Sequence, residues 1–350
     1  MGLSQREQIA LAGIAVATAV AGIAHYAGFD PVLAFVIAAI ALAGLAWIVS
    51  FATEQVGERL GPAVTGVMQT TLGNLPELFV VIFALQKGEV VVAETSIIGS
   101  LLANALLVLG LVIVVGARKS EDGVMRFHKR LPNDTATLLL VTIFVIVTVA
   151  VALTSHDPAA KHVQGISTAA AIVLLIVYAT WVIPYLRSGG ESHSAGTPRV
   201  PPAVAGTLLA VAGVGAAFVS DWFIDALRPA IDQIGISEAF AGLVIVAIAG
   251  NAVENAVGII LARKGQNDFA VSVVKNSVSQ IAAFLWPVLI LVSLLFATSL
   301  TFALAPVYVV ALALTALLVW QVTGDGEAAA FEGWALIGVY VILAVITLYE

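Results

Sequence analysis

Eleven stretches of this chain are apolar enough to cross a bilayer, and that fixes its fold class before any motif is read. They lie at roughly 8–27, 31–51, 62–86, 90–117, 135–154, 166–186, 203–220, 237–262, 268–296, 302–321 and 331–349. A spanning helix takes about 20 predominantly apolar residues. Backbone in lipid must satisfy its own hydrogen bonds, so apolar runs of this length form helices. The expectation is an all-α polytopic membrane protein of eleven transmembrane helices. With 61% apolar and 11% charged residues, the chain does not read as a soluble domain. The first stretch has one basic residue ahead of it, Arg6, and no small-residue cleavage site. It reads as a retained helix rather than a signal peptide.

The halves of the chain carry one pattern twice. Gly73-Asn74-Leu75-Pro76-Glu77 matches Gly250-Asn251-Ala252-Val253-Glu254, and Glu254 minus Glu77 is 177. Lys87/Lys264, Gly88/Gly265, Ser100/Ser277 and Ala105/Ala282 share that offset. The long loop 187–202, with Ser188-Gly189-Gly190 and three prolines, separates spans two to six from spans seven to eleven. The expected organisation is an extra helix at 1–30, a first five-helix repeat at 31–187, a linker at 188–202 and a second repeat at 203–350. An odd number of spans per repeat inverts the second copy, the plan of many secondary transporters.

Both repeats hold a carboxylate where lipid would be expected, which marks a functional site. Glu77 and Glu254 offer hard oxygen ligands. Asn74 and Asn251 stand three residues earlier, on the same helical face. Ser100 and Asn104 are four apart, and Ser277 and Gln280 three apart, so each pair shares a face. With no cysteine in the chain and no histidine in the set, these oxygens suit Ca²⁺, Mg²⁺, Mn²⁺ or Na⁺ rather than Zn²⁺ or Cu²⁺. Two carboxylates neutralise one divalent ion. Emptied of metal, two like charges at depth take up protons instead. That competition is the physical basis of cation/proton exchange. Gly73 and Pro76 predict a break in span three, and Gly250 with Val253 a milder one in span eight.

Thr53-Glu54-Gln55, Leu60-Gly61-Pro62, Gly73-Asn74…Glu77-Leu78, Gly99-Ser100…Asn104 and Leu106-Leu107-Val108-Leu109-Gly110 resemble the first repeat of the calcium/proton exchanger family, within the cation/calcium antiporter superfamily. Gly250-Asn251-Ala252-Val253-Glu254, Lys264, Asp268, Ser277, Gln280, Phe284 and Pro287 resemble its second repeat. The resemblance implies a secondary-active antiporter that exchanges cytoplasmic Ca²⁺ for external H⁺ by alternating access. Glu77 and Glu254 would be the central ligands and proton carriers. It implies no cofactor beyond the transported Ca²⁺ and H⁺. Three departures stand out. Asn255 replaces the histidine usual after the second glutamate. Pro76 before Glu77 is similar to the sodium/calcium exchanger branch. Lys275-Asn276-Ser277 stands where glycine more often precedes serine. Na⁺/Ca²⁺ or Na⁺/H⁺ exchange is the alternative reading, and a cation channel a remoter one. An intramembrane aspartyl protease would need a membrane Asp motif that the spans lack.

Lysine and arginine set the orientation. With eleven spans, eleven of them fall on the N-terminal face and three, Lys87, Lys161 and Arg228, on the other. The N-terminus is expected in the cytoplasm and the protein in the cell membrane. Lys275 is left inside span nine, about 10 Å from its cytoplasmic end, where snorkelling is the expectation. Glu54 and Glu58, and Asp221, Asp225 and Asp232 in an outer loop, are expected to be solvated. So are the five histidines, His25, His128, His156, His162 and His193. Partners are then Ca²⁺, H⁺, Na⁺ or another divalent ion, and lipid; no nucleic-acid motif appears, and a homo-oligomer is left open.

Overall fold

A computed structural model describes residues 2–57, 68, 71–128, 130–187 and 199–350; of 130–135, 185–187 and 254 it describes the backbone alone. The chain is helical almost throughout. In order come α1 (Gln5–Tyr26), α2 (Pro31–Gly57), α3 (Leu75–Gln86), α4 (Val90–Ala117), α5 (Arg130–Thr154), α6 (Val163–Arg187) and α7 (Pro202–Ile234). Then follow α8 (Glu238–Gly250), α9 (Ala252–Arg263), α10 (Asn267–Ser293), α11 (Pro306–Thr323) and α12 (Ala330–Leu348). Among the described residues, nine helices are long and apolar enough to cross a membrane. Glu238–Gly250 and Asn255–Arg263, joined by a 58° bend, make a tenth if the bent pair is counted as one span. Of the stretch expected at 62–86, residues 62–67, 69 and 70 lie outside the described residues, and its helix α3 begins at Leu75.

Two compact units emerge. The first comprises Met1–Lys87, Ala179–Glu238 and Ala249–Val253. Its core is α2 against α7. Small residues let those helices approach: Gly215 sits against Leu45, and Ala38, Ala41, Ala212 and Ala216 are buried. Phe35 stacks on Phe223 at 4.6 Å between ring centroids. On the outer side of α2, Ile14 of α1 covers Gly44. Gln55, buried at the end of α2, accepts a hydrogen bond from the Arg199 backbone N–H at 2.8 Å.

The second unit comprises Gly88–Tyr178, Ala239–Ile248 and Glu254–Glu350. α4 is its buried axis. Two glycine contacts set how closely α4 meets its neighbours. A Cβ on Gly99 would stand 2.2 Å from Leu243 O of α8, and one on Gly110 would stand 2.6 Å from Gly333 O of α12. Only glycine permits backbones this close. α5 packs on α10 and α11, with Thr142 Oγ1 donating to Ala282 O at 3.3 Å.

Several expectations are corrected. α7 runs to Ile234 rather than ending near 220, so Asp221, Asp225 and Asp232 lie on a helix and not in a loop. Its C-terminal stop is Gly235, in the left-handed conformation at φ 77°. Two short segments, one after α4 and one after α11, are extended. They pair as β1 (Val124–Arg126) and β2 (Glu327–Ala329), antiparallel, with Met125 opposite Ala328. Met125 is buried against Gly116, which explains why so short a pair forms.

Candidate ion site

The sequence repeat is also a backbone repeat. α3 and α9 each have twelve residues, and their first residues, Leu75 and Ala252, differ by 177. Asn74 and Asn251 both stand as turn residues just ahead of those helices. Gly88 and Gly265 close the following turns with φ of 79° and 76°. α4 and α10 then begin at Val90 and Asn267, again 177 apart. Each is widened further along by a π-helical segment, Ala103–Val108 in α4 and Ile281–Leu285 in α10. Segments of this kind are frequent at functional sites. A third, Ala241–Val246, lies in α8 just before the Gly250-Asn251 break. Composition gave no sign of these π segments, although the stretch 275–280 immediately before the one in α10 is mostly polar.

In the first unit, Asn74, Glu77 and Asn251 are all buried. Glu77 falls in the first turn of α3, where the helix N-terminus favours a carboxylate. Pro76, one residue earlier, lacks an N–H that this first turn would leave unbonded anyway. Gly250 of the second motif lies beside Glu77: a Cβ placed on Gly250 would stand 3.8 Å from Glu77 Cβ. The two motifs therefore meet at this point.

In the second unit, Ser100, Asn104, Ser277 and Gln280 are buried at the crossing of α4 and α10. Asn104 Nδ2 donates to Ser100 O at 2.9 Å. That commits the nitrogen end of the amide to backbone. Gln280 and Asn255 each bury a side-chain amide oxygen with no hydrogen-bond partner among the described residues. Such an oxygen is costly unless a cation or water meets it. Asn255 entered the sequence reading only as a replaced histidine, so its buried oxygen is an addition to the set. The backbone of Glu254 lies in the same unit, and its side chain is outside the described residues. Among the described residues no three His, Cys, Asp or Glu side chains cluster as for a metal.

Lys275 does not snorkel. It is 6% exposed, and its ammonium donates to Thr323 Oγ1 of α11 at 2.5 Å. Counting 100° per residue, Lys275 lies on the face of α10 opposite Ser277 and Gln280. Other groups expected to be solvated keep part of their exposure and also have partners. Lys87 bridges Asp221 and Asp225 at 2.5 and 2.7 Å, and the His128 ring meets Asp268 at 3.1 Å. His25 stacks on Trp222. Glu54 is exposed near the end of α2, while Glu58 and His193 lie outside the described residues.

These features define a class: a multi-pass helical membrane protein with two Gly-Asn turns at equivalent helix starts and buried oxygen-bearing side chains within each unit. The match to the family model for the sodium/calcium exchanger protein covers residues 31–184 and 204–349. The chain belongs to that family. It is 30% identical to the Ca(2+)/H(+) antiporter of Synechocystis sp., over 92% of each chain. It is 31% identical to the Ca(2+)/H(+) antiporter ChaA of Bacillus subtilis, over 89% of this chain and 90% of the other. Among solved structures, native YfkE superposes with TM-score 0.81 at 29% identity, covering 96% and 98% of the two chains. The H⁺/Ca²⁺ exchanger CAX shares the fold with TM-score 0.76 at 16% identity, over 99% and 93%. The resemblance to the calcium/proton exchanger branch is borne out.

Proposed function

We propose that this protein is a Ca²⁺/H⁺ antiporter working by alternating access. Glu77 and Glu254 are the central ligands and proton carriers. Asn74, Asn251, Ser100, Asn104, Ser277 and Gln280 complete an oxygen cage. The observation that carries this reading is the paired break: two Gly-Asn steps, each followed three residues on from the Asn by a glutamate, at one offset in sequence and in backbone. The relatives that bear the name Ca(2+)/H(+) antiporter support the choice of ions. The repeats at 31–187 and 203–350 sit upside down to one another, the N-terminus is cytoplasmic, and the cell membrane is the site of action.

The chemistry follows from charge balance. With both carboxylates ionised, one divalent ion leaves the pair neutral. When two protons replace the ion, the pair is neutral again. Either loaded form crosses a low-dielectric region more readily than the empty, doubly charged one. That asymmetry couples the two fluxes without any enzyme chemistry or resident cofactor.

Na⁺ exchange is the second reading, favoured by Pro76 ahead of Glu77 and by the family as a whole. Purified protein in vesicles separates the two. Under an imposed pH gradient, Ca²⁺ uptake should follow the gradient and collapse when a protonophore dissipates it. Uptake driven by a Na⁺ gradient at equal pH would reject the proton reading. Ca²⁺ flux without any gradient of H⁺ or Na⁺ would point to a channel.

A further inference from the structure

A cavity of about 180 Å³ opens in the first unit, where the end of α1, the start of α2 and the C-terminal half of α7 meet. One wall is aromatic. The His25 ring stacks on Trp222 at 5.9 Å and 24°. Phe29 and alanines supply most of the remaining surface. Asp225 is the one carboxylate among the lining residues. Its Oδ1 is held by Lys87 Nζ at 2.7 Å, while its Oδ2 stands 3.9 Å from His25 Nε2, beyond hydrogen-bond range. Lys87 is shared with Asp221 at 2.5 Å, so one cation serves two carboxylates. Counting the one lysine against the two aspartates, the trio is net negative. The last carbonyls of α1 also end here, adding partial negative charge.

We propose that this cavity binds an organic ammonium group, with Asp225 as its counter-ion and the His25–Trp222 wall against its carbon body. A bare metal ion would find one carboxylate oxygen where it needs several oxygens. An anion meets the wrong sign of charge. A neutral apolar molecule would strip water from Asp225 and give nothing back. A cation with an apolar body satisfies both the carboxylate and the aromatic faces. The size is suitable, since an apolar cavity of roughly 150 Å³ accepts benzene. The ammonium can come from a free single-ring amine or from an amine-bearing lipid headgroup. Val16, Val20, Ile23 and Tyr26 of α1 are exposed and would lie along the chains of such a lipid.

The test uses the full chain in nanodiscs of phosphatidylglycerol. Phenethylamine is titrated and followed by saturation-transfer NMR and thermal unfolding. In a parallel arm, phosphatidylethanolamine replaces half of the lipid. A free-amine site gives saturation transfer and a rise in Tm with phenethylamine. Trp222→Leu and Asp225→Asn should each weaken its affinity at least fivefold. A lipid site gives a Tm rise with phosphatidylethanolamine that the same variants erase. Because Asp225→Asn also removes a partner of Lys87, Ala34→Leu fills the cavity while leaving that ion pair in place, and it should block binding too. No response to either probe overturns the proposal. So does a response that survives Asp225→Asn and Ala34→Leu, or an equal Asp225-dependent shift with calcium chloride alone.

Discussion

Lys275 of α10 is hydrogen-bonded to Thr323 of α11, and Thr323 in turn donates to Val319 O at 2.6 Å. The hydroxyl proton is therefore committed to the backbone, and its lone pair faces the ammonium. Among the described residues no carboxylate pairs with Lys275. A buried cation held by one hydroxyl is an expensive arrangement.

Thr323→Val should accordingly destabilise the protein by about 1–3 kcal/mol, since it strands a buried donor. Lys275→Met removes the charge and the need for the hydroxyl together, and should leave Tm unchanged or raised. The double variant should be no less stable than Lys275→Met alone. Transport by Lys275→Met should stay within a few-fold of the parent, because the lysine faces away from Ser277 and Gln280. A changed cation preference in that variant would place Lys275 in the ion path.

The glycines of α4 and α8 give a test of the fold. A Cβ on Gly242 would stand 2.0 Å from Thr95 Oγ1 and 3.0 Å from Val92 O, and one on Gly99 would meet Leu243 backbone. Gly99→Ala has no flexible side chain to displace, so it should cost at least the ~1–3 kcal/mol typical of overpacking. Gly13→Ala, with open space around it, is the control and should be silent. Equal melting temperatures in detergent for Gly99→Ala and Gly13→Ala would contradict the close crossing of α4 and α8.

How much of this was legible in the sequence depends on what each feature is made of. The spans and the two motifs are written in residue type: long apolar runs, and Asn and Glu where lipid would exclude them. Gly88 and Gly265, 177 apart in sequence, also share a positive φ. The length of α7 was misread because Asp221 and Asp225 look like loop residues until Lys87, far off in sequence, is brought beside them. Lys275 was misread for the converse reason: its acceptor, Thr323, lies 48 residues away. π segments depend on backbone hydrogen-bond register, which no single residue announces.

For the ion site, Glu77→Gln and Glu254→Gln should each abolish Ca²⁺-coupled proton movement in vesicles. Glutamine keeps the shape and removes both the charge and the exchangeable proton. Folding should survive, because the neutral amide is cheaper to bury than a carboxylate. Gel-filtration profile and Tm check that point independently of transport. Near-normal exchange by either variant, correctly folded, would sink the two-carboxylate site.

Ca²⁺ affinity should fall as pH falls. The ligands must be ionised to hold metal, so protons and Ca²⁺ compete for Glu77 and Glu254. The sign is fixed by that competition: binding is fullest at high pH, where both carboxylates are bare, and it is lost as the site takes up protons. If two protons displace one ion, the logarithm of the dissociation constant should rise by up to two for each pH unit lost, well below the pH at which the pair is fully ionised. Asn255 sharpens the expectation. A histidine there would add a group titrating near its ordinary pKa of ~6.5, and asparagine adds none. The pH profile should therefore reflect the glutamates alone, and Asn255→His should introduce a further step around that pH. The measurement is calorimetric Ca²⁺ binding to purified protein from pH 5 to 8, for the parent and for Asn255→His. An affinity independent of pH in the parent would reject proton competition and favour Na⁺ as the coupled ion.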